Sequence, residues 1–374
     1  MSAVAPNAEN AADEEGTMDV YEQLRAKLAA HPMGAPEGEE ILEILRILFT
    51  PEEAAMALHL PFRPTRASTI ARKAGLPVEE VVELCEPMAD KGLVYAYEVR
   101  DRHFYMLFPT APGLFEFPFM KHRGLDLPFE RLSELWESYY EEAWGQEIEG
   151  KTTHVGRVIP IQETVDARQT VLAFEEVAGY VREAKYISVQ DCACRVSKKG
   201  CDAPVDVCLA LGYSAKYLAE RDMGRLIEPD EALAVLQRAR DAGLVHMTSN
   251  TRDRVEFICN CCSCCCGLMG TVTRLGGEAM DIASNFYAVV DDESCVACGI
   301  CVDPCPVEAI AMADLAEVDQ SLCIGCGVCV TRCPEGALAL VRRETTYEPP
   351  VDHMDWLNKV AAEKGREDAF NSEL

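Results

Sequence analysis

Eighteen of the 19 cysteines in this 374-residue chain fall between Cys192 and Cys333, and Cys85 alone precedes them. Two runs within that stretch share one spacing. Cys295, Cys298, Cys301 and Cys305-Pro306 are followed 28 residues later by Cys323, Cys326, Cys329 and Cys333-Pro334, each a CxxCxxCxxxCP run. Cysteine content stays below the roughly 8–10% typical of short secreted disulfide scaffolds, so clustering at fixed spacing points to metal. The opening residues MSAVAPNAENAADEEG lack the basic flank and apolar stretch of a signal peptide. The expected setting is therefore the reducing cytoplasm, where thiols stay free for metals. No stretch has the 18 or so uninterrupted apolar residues of a membrane helix, so no membrane insertion is expected.

In each run, three thiolates separated by two residues let a short loop wrap three irons of a cubane. The fourth, just ahead of a proline that can open a helix, points to the other cluster. By that rule Cys295, Cys298, Cys301 and Cys333 hold one 4Fe-4S cluster, and Cys323, Cys326, Cys329 and Cys305 hold the second. Gly299, Gly325 and Gly327 let the backbone turn tightly toward the sulfurs, while Val302, Ile310, Ile324 and Val328 exclude water. Over about residues 286–342 the sequence resembles the bacterial-type dicluster ferredoxin domain. The resemblance implies two low-potential one-electron sites, at home in anaerobic metabolism, on a pseudo-twofold fold of paired strands and short helices.

Ten cysteines form a second constellation. CACRVSKKGCDAPVDVC supplies Cys192, Cys194, Cys201 and Cys208, and CNCCSCCCG supplies Cys259, Cys261, Cys262, Cys264, Cys265 and Cys266. Each block follows an expected strand, so the two can meet in space. Eight thiolates would saturate two cubanes, and ten leave two for bridging, for a larger cluster or for redox-active thiols. Structural zinc, a soft-metal tract and local disulfides are the competing readings. One or two additional iron–sulfur clusters are the expectation, because a dicluster module follows in the same chain. Arg195, Lys198 and Lys199 are read as a solvated turn, with offsetting of thiolate charge as the alternative.

The rest of the chain divides into an acidic leader and linker (1–37), a helical domain (38–110), a Cys-rich middle domain (111–285), the dicluster domain (286–342) and a helical tail (343–374). The fold class expected overall is α+β, with an α/β middle domain. Ile41, Ile44, Leu45 and Leu48 recur with helical period, a second helix is expected over about 68–75 and a third over 78–90, and VYAYEVRDRHFYML reads as a hairpin. That order resembles a winged helix-turn-helix domain. Its third helix carries Glu79, Glu80, Glu83, Glu86 and Asp90 with no basic residue before Lys91, whereas groove reading needs Arg, Lys, Asn or Gln. The net charge of −28 likewise opposes a phosphate backbone. Protein docking is expected there and nucleic-acid binding is not.

Nucleotide-fold and hydrolase motifs are absent from the sequence. These features together predict an iron–sulfur electron-transfer protein, a subunit or partner of a cytoplasmic oxidoreductase. Its redox partner protein, a flavoprotein for instance, would supply any flavin or nicotinamide chemistry. Two alternatives stay open: a catalytic reductase centred on the ten cysteines, and a redox-sensing winged-helix regulator.

Overall fold

A computed structural model describes residues 18–148, 153–172 and 175–374. The acidic stretch 1–17 lies outside them. Residues 20–30 correct the expectation of a linker: Val20–Ala30 is a helix, with Leu24 and Leu28 fully buried and Tyr21 beside them. Three apolar residues at i, i+3 and i+7 suffice for a buried stripe. The Glu22 carboxylate accepts the Asp19 N–H at 3.2 Å, an N-terminal cap that the acid-rich flank conceals in the sequence.

Helix Glu39–Leu48 buries Ile41, Ile44, Leu45 and Leu48. A short helix not expected from the sequence, Pro51–Ala57, follows it. Thr50 Oγ1 accepts the Glu53 N–H (3.2 Å), the Glu53 carboxylate accepts the Thr50 N–H (2.8 Å), and Pro51 takes the first helical position. Helix Ala67–Ala74 stops at Gly75, whose φ of 73° is left-handed. Helix Val78–Asp90 buries Val81, Cys85 and Met88, and burial pushes the Cys85 thiol up to about 12, the behaviour of a small core hydrophobe. Strands Val94–Glu98 and His103–Leu107 form the hairpin, and Thr65–Arg66 adds to its His103–Leu107 edge.

The aromatic segment forms helix Phe129–Tyr139, a wider turn Tyr140–Trp144 and a last turn Gly145–Ile148. Trp136, Tyr139 and Trp144 enter the same core as the amino-terminal helices. Helices His353–Glu363 and Glu367–Ser372 join that core through Trp356, Val360 and Phe370. Phe370 stacks near Phe62, Lys27 pairs with Glu373, and Lys364 and Arg366 both pair with Glu147.

The middle of the chain builds a six-stranded sheet in the order Gly156–Val158, Val245–Ser249, Phe257–Cys261, Cys208–Leu211, Ile187–Gln190, Arg225–Leu226. Every pairing in it is antiparallel. The α/β expectation is thereby corrected. Alternating helices and strands resemble parallel crossover units, but the Val245–Ser249 and Phe257–Cys261 strands pair as neighbours, and the Cys208 strand inserts between Phe257–Cys261 and Ile187–Gln190. Arg221 binds Glu86 (2.8 Å) and Asp90 (2.7 Å), which ties this region to helix Val78–Asp90.

Beyond the sheet, strand Phe286–Val290 pairs with Leu338–Arg342 and strand Ile310–Met312 with Ala316–Val318, both antiparallel, with helix Val328–Arg332 between the second and last of these. Among the described residues no helix is long and apolar enough to cross a membrane.

Candidate metal centres

The antiparallel pair Phe286–Val290 and Leu338–Arg342 brings the two CxxCxxCxxxCP runs face to face. Cys295, Cys298 and Cys301 line one hollow together with Cys333 from the second run, closed by Val290, Ile300 and Leu338. Cys323, Cys326 and Cys329 line another together with Cys305 from the first run, closed by Ala288, Ile324 and Leu340. Backbone donors aim at the sulfurs in matching positions: the Ala309 N–H donates to Cys305 Sγ (3.2 Å) and the Ala337 N–H to Cys333 Sγ (3.3 Å). The Ala288 N–H donates to Cys323 Sγ at 3.4 Å. Such donors stabilise negative sulfur.

Two glycines make this geometry possible. Gly325 (φ 64°) lies against the Phe286 carbonyl group, and Gly327 (φ 84°) against Thr164, where a Cβ would overlap the neighbour. Burial pushes the Cys326 thiol up to about 12, and Cys329 upward as well. Sulfurs in so apolar a hollow hold negative charge only with a compensating cation, which the donor set is suited to bind. The two hollows differ in exposure. Cys298 is exposed and flanked by Val296 and Ile300, 62% and 51% exposed, whereas Cys323, Cys326 and Cys329 are buried.

The ten upstream cysteines divide into six and four. The turn after strand Ile187–Gln190 carries Cys192 and Cys194, the latter in helix Ala193–Lys198, and Cys208 opens its own strand. On strand Phe257–Cys261 the period of two puts Cys259 and Cys261 on one face and Asn260 on the other. Asn260 is fully buried, its Nδ2 donating to the Val207 carbonyl (2.5 Å) and its Oδ1 meeting His246 Nδ1 at 2.6 Å. Cys266 precedes helix Gly267–Thr273.

Thiol contacts link these six in a closed ring: Cys192 to Cys194, to Cys266, to Cys261, to Cys259, to Cys208 and back to Cys192. Acidity alternates around it. Hydrogen bonding to two thiol neighbours each shifts Cys192, Cys259 and Cys266 down, Cys259 to about 6, and shifts Cys194, Cys208 and Cys261 up. Half-buried Glu116 stands near Cys259 and Cys266. Burial first, and those sulfurs next, push it up to about 7, although it accepts the Gly113 N–H at 2.8 Å.

The remaining four, Cys201, Cys262, Cys264 and Cys265, have all their sulfurs within 4.8 Å of one another. Arg195 lies between the two groups. The sequence reading of a solvated turn is corrected for this residue: it is 3% exposed, its Nη1 donates to the Asn260 carbonyl (2.9 Å) and to Cys262 Sγ (3.6 Å), and Cys192 and Cys208 act on it electrostatically. Its Nε and Nη2 have no hydrogen-bond partner among the described residues. A buried guanidinium facing thiols needs negative charge there. Lys198 pairs instead with Glu137, and Lys199 is exposed.

Sequence reasoning missed Glu116 and Asn260 as parts of this centre, and held the charge-offsetting role of Arg195 only as the alternative to a solvated turn. Of the two missed, Asn260 carried a signal, as the polar residue alternating with Cys259 and Cys261. The ring also connects to the dicluster region: Cys261, Cys266, Ile324, Cys326 and Val328 share one apolar core, and the Ile161 N–H donates to the Cys326 carbonyl at 3.1 Å.

Comparison with known families agrees with the C-terminal geometry. The family described as 4Fe-4S binding domain matches residues 288–311 and 316–339, one match for each cysteine run. No curated protein and no solved structure matches the chain. The region 288–339 is thus a two-repeat 4Fe-4S binding domain of ferredoxin type, and with the cysteines that precede it supports an iron–sulfur electron-transfer role.

Proposed function

We propose that the chain is an electron-transfer component of a larger oxidoreductase system in a reducing, cytoplasmic compartment. The observation that carries this reading is the gradient of exposure. An outer hollow at the surface adjoins an inner buried one, and the inner one shares its core with the thiol ring. Cys295, Cys298, Cys301 and Cys333 would hold one 4Fe-4S cluster, and Cys323, Cys326, Cys329 and Cys305 the other. Bound clusters supply reversible one-electron storage. The protein's own residues keep water from the inner site through Ile310, Ile324 and Leu340, and aim backbone N–H groups at its sulfurs. The ring of Cys192, Cys194, Cys208, Cys259, Cys261 and Cys266 is read as a further Cys-ligated metal site, not a cubane, since its thiols touch, with Cys261 and Cys266 sulfurs 3.3 Å apart, and Arg195 offsets its charge.

The partner side of the reading rests on the rim of the outer hollow. Glu335 lines the hollow with Val296 and Ile300, and Asp292, Glu293 and Asp303, within four residues of them in sequence, are exposed, a surface suited to a transient encounter with a basic redox protein. The amino-terminal helices and hairpin are read as a winged-helix-like docking module. Glu79, Glu80, Glu83 and Asp90 lie exposed on helix Val78–Asp90, a face that repels DNA.

Stepwise reduction of the anaerobically purified chain followed by EPR tests the reading. The expected result is a reduced-cluster signal broadened by coupling to a second reduced centre close by. A single uncoupled signal at full reduction would contradict it.

A further inference from the structure

We propose that Cys201, Cys262, Cys264 and Cys265 bind one tetrahedral zinc ion and form a site separate from any iron–sulfur chemistry. The argument is a distance. An ion about 2.3 Å from each of four thiolates sets neighbouring sulfurs about 3.8 Å apart. Cys201 and Cys262 stand 3.7 Å apart, Cys264 and Cys265 also 3.7 Å, and all four sulfurs fall within 4.8 Å. A cubane gives each thiolate its own iron, so the inorganic core keeps those sulfurs from touching.

The same chain supplies the comparison. Among the described residues no thiol–thiol hydrogen bond joins any two of the eight cysteines lining the C-terminal hollows, whose mutual effects are electrostatic only. The Cys201 quartet is also the one group of four, among the described residues, compact enough for a single ion. Four ligands complete a zinc shell, so the site has no open position and its role is structural.

Its surroundings fit a dianionic tetrathiolate. The Gly200 N–H faces Cys265 and the Ala203 N–H faces Cys201, and Arg195 reaches Cys262 Sγ at 3.6 Å. A Cβ on Gly200 would lie 3.1 Å from Cys265 Sγ, a tight approach at the sulfur. The ion would join the turn after helix Ala193–Lys198 to the turn after strand Phe257–Cys261. Those two turns and their flanks carry all six thiols of the ring. Zinc therefore acts as the clasp that sets the ring's shape.

The assignment is independent of the electron-transfer reading, and its test is read on zinc. Elemental analysis of the full-length chain is expected to give one zinc per chain. Cys201→Ser and Cys265→Ser are each expected to lose that zinc while the EPR of the C-terminal clusters is unchanged. Should these variants fail to fold, zinc-edge X-ray absorption of the unmodified chain decides, with four sulfur neighbours at about 2.3 Å expected. Loss of about four irons in either variant, a single iron in place of zinc, or a zinc shell containing nitrogen or oxygen would overturn the proposal.

Discussion

Cys333→Ala is expected to strip the chain of about four irons, and those irons belong to the run formed by Cys295, Cys298 and Cys301. Cys333 sits in the second repeat by sequence but lines the first repeat's hollow. Pairs of substitutions make the crossing visible, because two changes at one site do not add whereas changes at separate sites do. Cys333→Ala combined with Cys298→Ala should lose no more iron than either alone. Cys333→Ala combined with Cys326→Ala should lose about eight, since Cys326 lines the other hollow. Ligation within each repeat predicts the reverse pattern, so iron per chain across the four variants separates the two arrangements.

Gly325→Ala is the second large effect. At φ 64° an alanine is strained, and its Cβ would also stand 2.7 Å from the Phe286 carbonyl carbon. Phe286 cannot yield cheaply, because it lies in the strand paired with Leu338–Arg342 and is fully buried. Strain and overpacking together cost about 3 kcal/mol or more. The displaced turn is the one between Cys323 and Cys326, so the inner cluster should be lost with the stability. Thermal unfolding and iron content measured together check this. Gly336→Ala is the control, since Gly336 has a similar φ of 64° with no atom within 4 Å of its Cβ, and it should retain its iron.

These effects show which parts of the molecule local sequence can specify. The two cysteine runs are legible because a short loop determines its own wrapping, and the helices at 39–48 and 78–90 are legible because their apolar period is internal. Helix Val20–Ala30 was obscured by its charged neighbours, since its buried face carries just three apolar side chains, Tyr21, Leu24 and Leu28, with Lys27 buried beside them. The antiparallel order of the central sheet depends on which strands meet across the fold, a property no local period reports. The division of the ten upstream thiols has the same origin. Cys208 reaches Cys259 because their strands pair, and Cys201 reaches Cys262 although 61 residues separate them. Arg195 reads as a surface charge in sequence and is buried because both groups of thiols close over it.

Iron and acid-labile sulfide per chain, counted on anaerobically purified full-length protein, test the central claim most directly. An electron-transfer protein built on two cubanes and a thiol-ring centre requires at least about eight irons with a matching number of sulfides. Fewer than about eight irons, or iron without acid-labile sulfide, would contradict it.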